Sequence, residues 1–297
     1  MVTHSQQGGA ATLTSVGGFL SSQPDATHAS PHDLWGFGGL HGGLALAAMT
    51  NAMRATAARA AGLSPDDPPQ ANPQRLRSVT GRLHRAVREE FRIEAATDSA
   101  TRSTTSTSAR IVAAASGHDD PTQPEATPLA SATALFGSDS TLDTQAILPT
   151  PPAVPTWREG TLFRPPPSFV PVSVHTELRV TGTHRPFAGG TEPRLTSWIR
   201  LTDDDLPPDD HRLLFLVDAL APSYAAILSA PTAIPTVELS VHFSGAHATT
   251  PWVLVDAHTT TTTPSGWNTE TINVFGEDGT HLAEARQLRL VRQAQAS

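Results

Sequence analysis

In FGGLHGGLALAAMTNAM, Phe37 to Met53, four glycines (Gly38, Gly39, Gly42 and Gly43) surround one histidine, His41, and a helix-forming run follows at once. A helix begins with backbone N–H groups that no carbonyl of its own reaches, and glycine lets a ligand oxygen come close to them. Aimed at a carbonyl, such groups stabilise the oxyanion that forms when a nucleophile adds to it. Gly39, His41 and Gly42 are therefore candidate contacts to the oxygen of an acyl group. The same small residues also let a helix pass close to a sheet, and a lone histidine is more often structural than catalytic. The stretch thus carries two readings, an oxyanion-binding helix start and a packing device.

Composition removes several other chemistries. There is no cysteine, which excludes thiolate nucleophiles, disulfides and cysteine-ligated zinc. All 20 basic residues are arginine, against 28 acidic ones, for a formal net charge of −8. No basic stripe is present, so nucleic acid is not an expected partner. The sequence holds no phosphate loop, dinucleotide fingerprint or His/Asp metal cluster, and no cofactor or metal is expected. The first fifteen residues lack a charged segment followed by an apolar one, and no apolar run approaches the roughly 20 residues of a membrane span. The expectation is a soluble, cytoplasmic protein with no membrane partner.

The elements that must position the glycine-rich stretch can be read from pattern. Apolar residues make up 38% of the 297-residue chain and charged residues 16%, a balance that supports a globular core. LPTPPAVPTWREGTLFRPPPSFVP, Leu148 to Pro171, holds eight prolines and reads as an extended linker. It separates residues 1–147 from residues 172–297. In the first half a strand is predicted over ATLTSVGGFLSS, then a helix to about Ala61, then strands at LRSVTGRLHR, FRIEAATDS, STSARIVAAAS and LASATALFGS. The second half predicts strands at HTELRVTG and TSWIRL, a helix from about His211 to Leu228, then strands at PTVELSVHF, WVLVDAHTTTT, WNTETINVFG and HLAEARQLRLV. SVTGRLH from Ser78 aligns with TVELSVH from Thr236, which makes His84 and His242 equivalent and gives them a shared structural role. LASATALF from Leu129 aligns with LAEARQLRL from Leu282. The order predicts an α+β chain of two repeats, each a long helix wrapped by a curved antiparallel sheet, which is a double hotdog. The acidic run TDDDLPPDD, Thr202 to Asp210, reads as a solvated loop leading to a helix N-cap.

FGGLHGGLAL resembles the FGG-containing helix start of the TesB-type acyl-CoA thioesterases, and the second half adds to the likeness. That family carries an Asp on its second helix, a Thr at the start of the following strand and a Gln on the last strand, which together hold a hydrolytic water. LVDAL, PTVELSVHF and HLAEARQLRLVR match those three motifs, and the resemblance implies Asp218, Thr236 and Gln287 as the catalytic set. Two departures bear on acyl preference: Glu238 lies two residues after Thr236, and that strand closes on VHFS without the family's tryptophan. At the aligned first-half positions stand Thr50, Ser78 and Ala134, so one composite site per chain is expected, with Gly39, His41 and Gly42 near the carbonyl. The resemblance implies hydrolysis of an acyl-CoA or other acyl thioester. Two rival readings are a hotdog dehydratase or hydratase, which would need a paired Asp and His near the helix start, and a non-catalytic acyl-thioester binding protein. Association into homo-oligomers through exposed sheet edges is left open.

Overall fold

The computed structural model describes residues 14–24, 26–63, 74–114, 127–140 and 145–292. The strand predicted over ATLTSVGGFLSS is instead a short helix, α1 (Val16–Leu20); residues 11–13 of that stretch lie outside the described residues. Ser15 explains the difference, because its hydroxyl accepts the Gly18 N–H at 3.0 Å and starts a helical turn. The Val16 N–H donates to the Asp203 carboxylate at 2.6 Å, which docks the turn on the second half.

Helix α2 (Gly42–Ala60) follows the glycine-rich stretch as predicted. Every residue from Gly43 to Thr50 is buried, because small side chains let neighbours approach from all sides. Helix α3 (Asp210–Ala219) starts at the Asp209 N-cap, whose carboxylate accepts the Arg212 N–H at 2.8 Å. It stops nine residues short of the predicted Leu228. Pro222 lacks an N–H and steers Ala221 away from helical angles, and the chain resumes as a separate 3-10 turn at Ser223–Ile227.

Strands β1 (Gln74–Leu83), β2 (Phe91–Ala100), β3 (Thr104–Ala113) and β4 (Ala130–Ser138) belong to the first half. The second contributes β5 (Thr161–Phe163), β6 (Thr176–Val180), β7 (Arg194–Leu201), β8 (Thr236–Phe243), β9 (Val253–Thr262), β10 (Trp267–Gly276) and β11 (His281–Leu290). They form one 11-stranded sheet in the order β2-β3-β4-β1-β8-β11-β10-β9-β7-β6-β5. All neighbouring strands are antiparallel. The β1–β8 pair joins the halves: the Thr80 and Ser240 hydroxyls bond at 2.9 Å, and the Arg82 Nε donates to Glu238 at 2.7 Å. Two helices in contact, wrapped by a shared antiparallel sheet, make the double hotdog.

The proline-rich segment is largely exposed and broken by turns, but it is anchored at a few points. The Trp157 ring stacks on Trp252 at 4.8 Å between centroids, the Pro155 carbonyl accepts the Trp198 indole N–H at 2.9 Å, and β5 borders β6.

Register corrects the alignment of the repeats. Val79 lies opposite Ala134 as Leu239 lies opposite Gln287, and Leu76 opposite Phe136 as Thr236 opposite Arg289. The structural counterpart of Thr236 is therefore Leu76, and that of Glu238 is Ser78. A β-bulge, with Arg77 as the extra residue in β1 and Val237 in β8, sits at the same place in both repeats. His84 and His242 are consequently not equivalent; the His84 ring bonds the Ser131 hydroxyl at 2.9 Å.

Candidate active site

Asp218 sits in the last turn of α3, where a carboxylate faces the negative end of its own helix. The structure offsets this by aiming it at the start of α2, whose N-terminus is the positive end of a helix. Asp218 Oδ2 accepts the Gly43 N–H at 2.9 Å. Asp218 Oδ1 accepts the Thr236 hydroxyl at 2.9 Å and the Gln287 amide Nε2–H at 2.6 Å. Thr236 reaches this side only because of the bulge at Val237: without the extra residue, strand alternation would place it on the outer face with Glu238. Gln287, at the centre of β11, points inward by alternation and is fully buried. The three residues named from the sequence motifs thus meet, from one helix and two strands.

The glycine-rich stretch serves both readings in part. A Cβ at Gly43 would lie 2.6 Å from the Leu214 carbonyl and 3.0 Å from the Phe215 Cα, so glycine there permits the α2–α3 contact. Its N–H is not free, since Asp218 takes it. At Gly42 a Cβ would lie 2.8 Å from Asp218 Oδ2 and 2.7 Å from Leu83 Cδ1. Among the described residues the Gly42 N–H has no hydrogen-bond acceptor. Gly39 is packed away from the carboxylate, against Ala86 and Val87.

His41 is the N-cap of α2 without a capping side-chain bond. Its Nε2 faces the Asp218 backbone carbonyl at 3.2 Å and thereby caps the open C-terminal end of α3. Burial pushes its imidazole below the usual histidine range, against the weaker pull of the Asp218 carboxylate. At neutral pH the ring is uncharged, so the 3.6 Å approach of Nε2 to Asp218 Oδ2 is a dipolar contact and not an ion pair. Nε2 carries the proton, and the buried Nδ1 is left without a partner among the described residues.

Pattern reading missed a second layer. Arg289 is 4% exposed and donates from Nε to Glu270 at 2.8 Å, from Nη1 to the Thr236 hydroxyl at 2.9 Å, and from Nη2 to the Gln287 Oε1. Glu270, 1% exposed, also accepts the Ser223 N–H at 2.5 Å. Arg289 is two residues from Gln287 on the same strand, so alternation could have placed it on the site's face. Glu270 gave no sequence signal, because its approach depends on the β10–β11 register.

Glu238 lies outside the cluster, paired with Arg82 across the halves. A surface cavity of about 510 Å³ lined by Thr80, Arg82, Glu94 and Ser131 is likewise remote from it. Among the described residues no group of three or more metal-ligating side chains is arranged to hold an ion, and no helix is long and apolar enough to cross a membrane.

Comparison with known families bears directly on this geometry. Residues 31–137 match the profile described as the acyl-CoA thioesterase N-terminal domain, and residues 144–291 match that of the acyl-CoA thioesterase C-terminal domain. The chain belongs to the acyl-CoA thioesterase family. It is a thioester hydrolase, which displaces the dehydratase and binding-protein readings, and acyl-CoA is the substrate class of its family. Solved structures give the same fold. A protein of unknown function with a hot dog fold from Alicyclobacillus acidocaldarius superposes with a TM-score of 0.67 at 21% identity, covering 91% of this chain and 97% of that one. The acyl-CoA thioesterase II of Mycobacterium marinum gives 0.59 at 15%, covering 84% and 90%. The tesB protein of Mycobacterium avium subsp. paratuberculosis gives 0.62 at 16%, covering 94% and 100%. No curated protein matches by sequence. The second family match, residues 144–291, spans this thioesterase's proline-rich segment.

Proposed function

We propose that this thioesterase hydrolyses an acyl-CoA to the free acid and the CoA thiol with a water activated by Asp218, Thr236 and Gln287. The observation that carries the reading is the convergence of the Thr236 hydroxyl and the Gln287 amide on one carboxylate oxygen, at 2.9 and 2.6 Å. Asp218 Oδ1 already accepts two hydrogen bonds and Oδ2 one, so Oδ2 keeps the lone pair for a water beside Gly42.

The water gives a proton to Asp218 as its oxygen adds to the thioester carbonyl. The carbonyl oxygen gains negative charge against the Gly42 N–H at the positive end of α2. Collapse of that intermediate breaks the C–S bond, and the proton held by Asp218 passes to the leaving thiolate. His41 contributes by holding the end of α3, and with it Asp218, against the start of α2.

Asp218→Asn keeps the size of the side chain but removes the base. Thiol release from a panel of short, medium, long and aryl acyl-CoA substrates is expected to fall by about 10²-fold or more. Undiminished release by a folded Asp218→Asn protein overturns the assignment.

A further inference from the structure

We propose that Arg289 is a positioning residue whose guanidinium sets the donor directions of Gln287 and Thr236 toward Asp218. The inference rests on the reading of Asp218 as the base. An ionised Asp218 only accepts, but once it holds the water's proton a glutamine amide can face it with either end and a threonine hydroxyl can rotate, unless a second donor holds both. Here the choice is forced. A guanidinium only donates, so the Gln287 oxygen turns to Arg289 and its NH2 group turns to Asp218. In the same way Arg289 Nη1 occupies a lone pair of the Thr236 oxygen at 2.9 Å, which sends the hydroxyl proton to Asp218 Oδ1. Glu270 fixes the guanidinium in turn. Its two oxygens take Arg289 Nε and the Ser223 N–H, which ties the arrangement to the chain leaving α3.

The other repeat supplies a control within the same molecule. Register makes Leu76, Thr107, Ala134 and Phe136 the counterparts of Thr236, Glu270, Gln287 and Arg289. Those four are also buried, so this position of the fold is filled stably by small and apolar side chains. A buried ion pair gives little or no net stability over well-packed apolar residues. Its presence only in the half that carries Asp218 therefore points to the chemistry and not to the fold.

The test uses Arg289→Met in a Glu270→Gln background, which leaves no unpaired charge at position 270 and keeps an acceptor for the Ser223 N–H; Asp218 loses the guanidinium whose Nη2 lies 3.7 Å from its Oδ1, so the position of the Gln287 amide is read beside kcat. Glu270→Gln alone is the reference, and circular dichroism and thermal melting establish that each variant is folded. The expected result is a loss of about a hundredfold in kcat with KM little changed, the usual effect of a displaced catalytic group. Adding Gln287→Ala is expected to cost little more, because Arg289 acts through Gln287. A crystal structure of the Arg289→Met protein is expected to show the Gln287 amide turned from Asp218. A kcat within about twofold of the reference, or a Gln287 amide still on Asp218 Oδ1 in that crystal structure, overturns the proposal. If the wild-type enzyme releases no thiol from any acyl-CoA tested, the proposed hydrolysis fails instead, and the position of Gln287 in the crystal structure decides the role of Arg289 alone.

Discussion

Two adjacent glycines are held for different reasons, and substitution separates them. Alanine at Gly43 would drive its Cβ into the backbone of α3, at Leu214 and Phe215, where neither helix can yield without opening the α2–α3 contact. Overpacking of this kind costs about 1–3 kcal/mol. Alanine at Gly42 meets only the ends of side chains, Leu83 Cδ1 and Asp218 Oδ2, which can move. Its stability cost is smaller, but it pushes the carboxylate away from Thr236 and Gln287. Gly43→Ala is therefore expected to lower the urea midpoint more than Gly42→Ala does, while Gly42→Ala lowers kcat by about 10²-fold, as a displaced catalytic group does. Paired denaturation and thiol-release measurements check the crossover; a Gly42→Ala enzyme with wild-type kcat would show that the carboxylate tolerates displacement. His41 is understood at the same scale: a neutral imidazole that bonds the Asp218 carbonyl holds the two helix ends together.

At the scale of elements, long periodic segments were legible and interruptions were not. Ten of the eleven strands, β2 and β11 among them, show in the sequence because apolar and polar residues alternate there. The bulge at Val237 leaves no such trace, since a single extra residue looks like ordinary strand. That is why Thr236 could be named by motif but was aligned with Ser78, on the opposite face from its counterpart Leu76. The end of α3 at Ala219 was written in Pro222, but LLFLVDAL and the apolar residues beyond it masked the break. Proline-rich composition gave no sign of the contacts that anchor 148–171, because they depend on residues distant in sequence. Trp157 stacks on Trp252, and its indole N–H donates to Glu277 at 2.9 Å. Trp157→Ala is expected to cost about 3 kcal/mol, the lower part of the range for truncating a packed tryptophan, because the ring is only half-buried. It should also speed proteolytic cleavage between Leu148 and Pro171 with little change in kcat. Unchanged cleavage kinetics would mean that the prolines alone hold the segment in place.

For the whole molecule, the candidate site draws on both repeats. Asp218, Thr236 and Gln287 come from the second half, while Gly42, Gly43 and His41 come from the first, and the β1–β8 pairing fixes the two halves in one sheet. The contact between α2 and α3 joins the two halves, and buried His41 and half-buried His211 make it sensitive to acid. Burial lowers His41 from the ordinary 6.5 and, with the nearby Arg54 charge, takes His211 at the start of α3 down to about 4. The unfolded chain protonates both histidines as pH falls through 6.5, while the folded chain leaves them neutral, so the unfolded state binds more protons in this window. Stability therefore rises with pH between about 4 and 6.5 and is lost as pH falls from 6.5 through the lowered folded-state values. The urea midpoint is expected to be flat near pH 7 to 8 and to drop steadily between 6.5 and 4. Burial lowers His28 and His281 as well, so His211→Gln removes one of four such titrations without touching the Asp218 cluster, and it should reduce that slope while leaving kcat at neutral pH intact. An unaltered slope in His211→Gln would place the acid sensitivity on other groups and leave His41 alone to account for the helix contact.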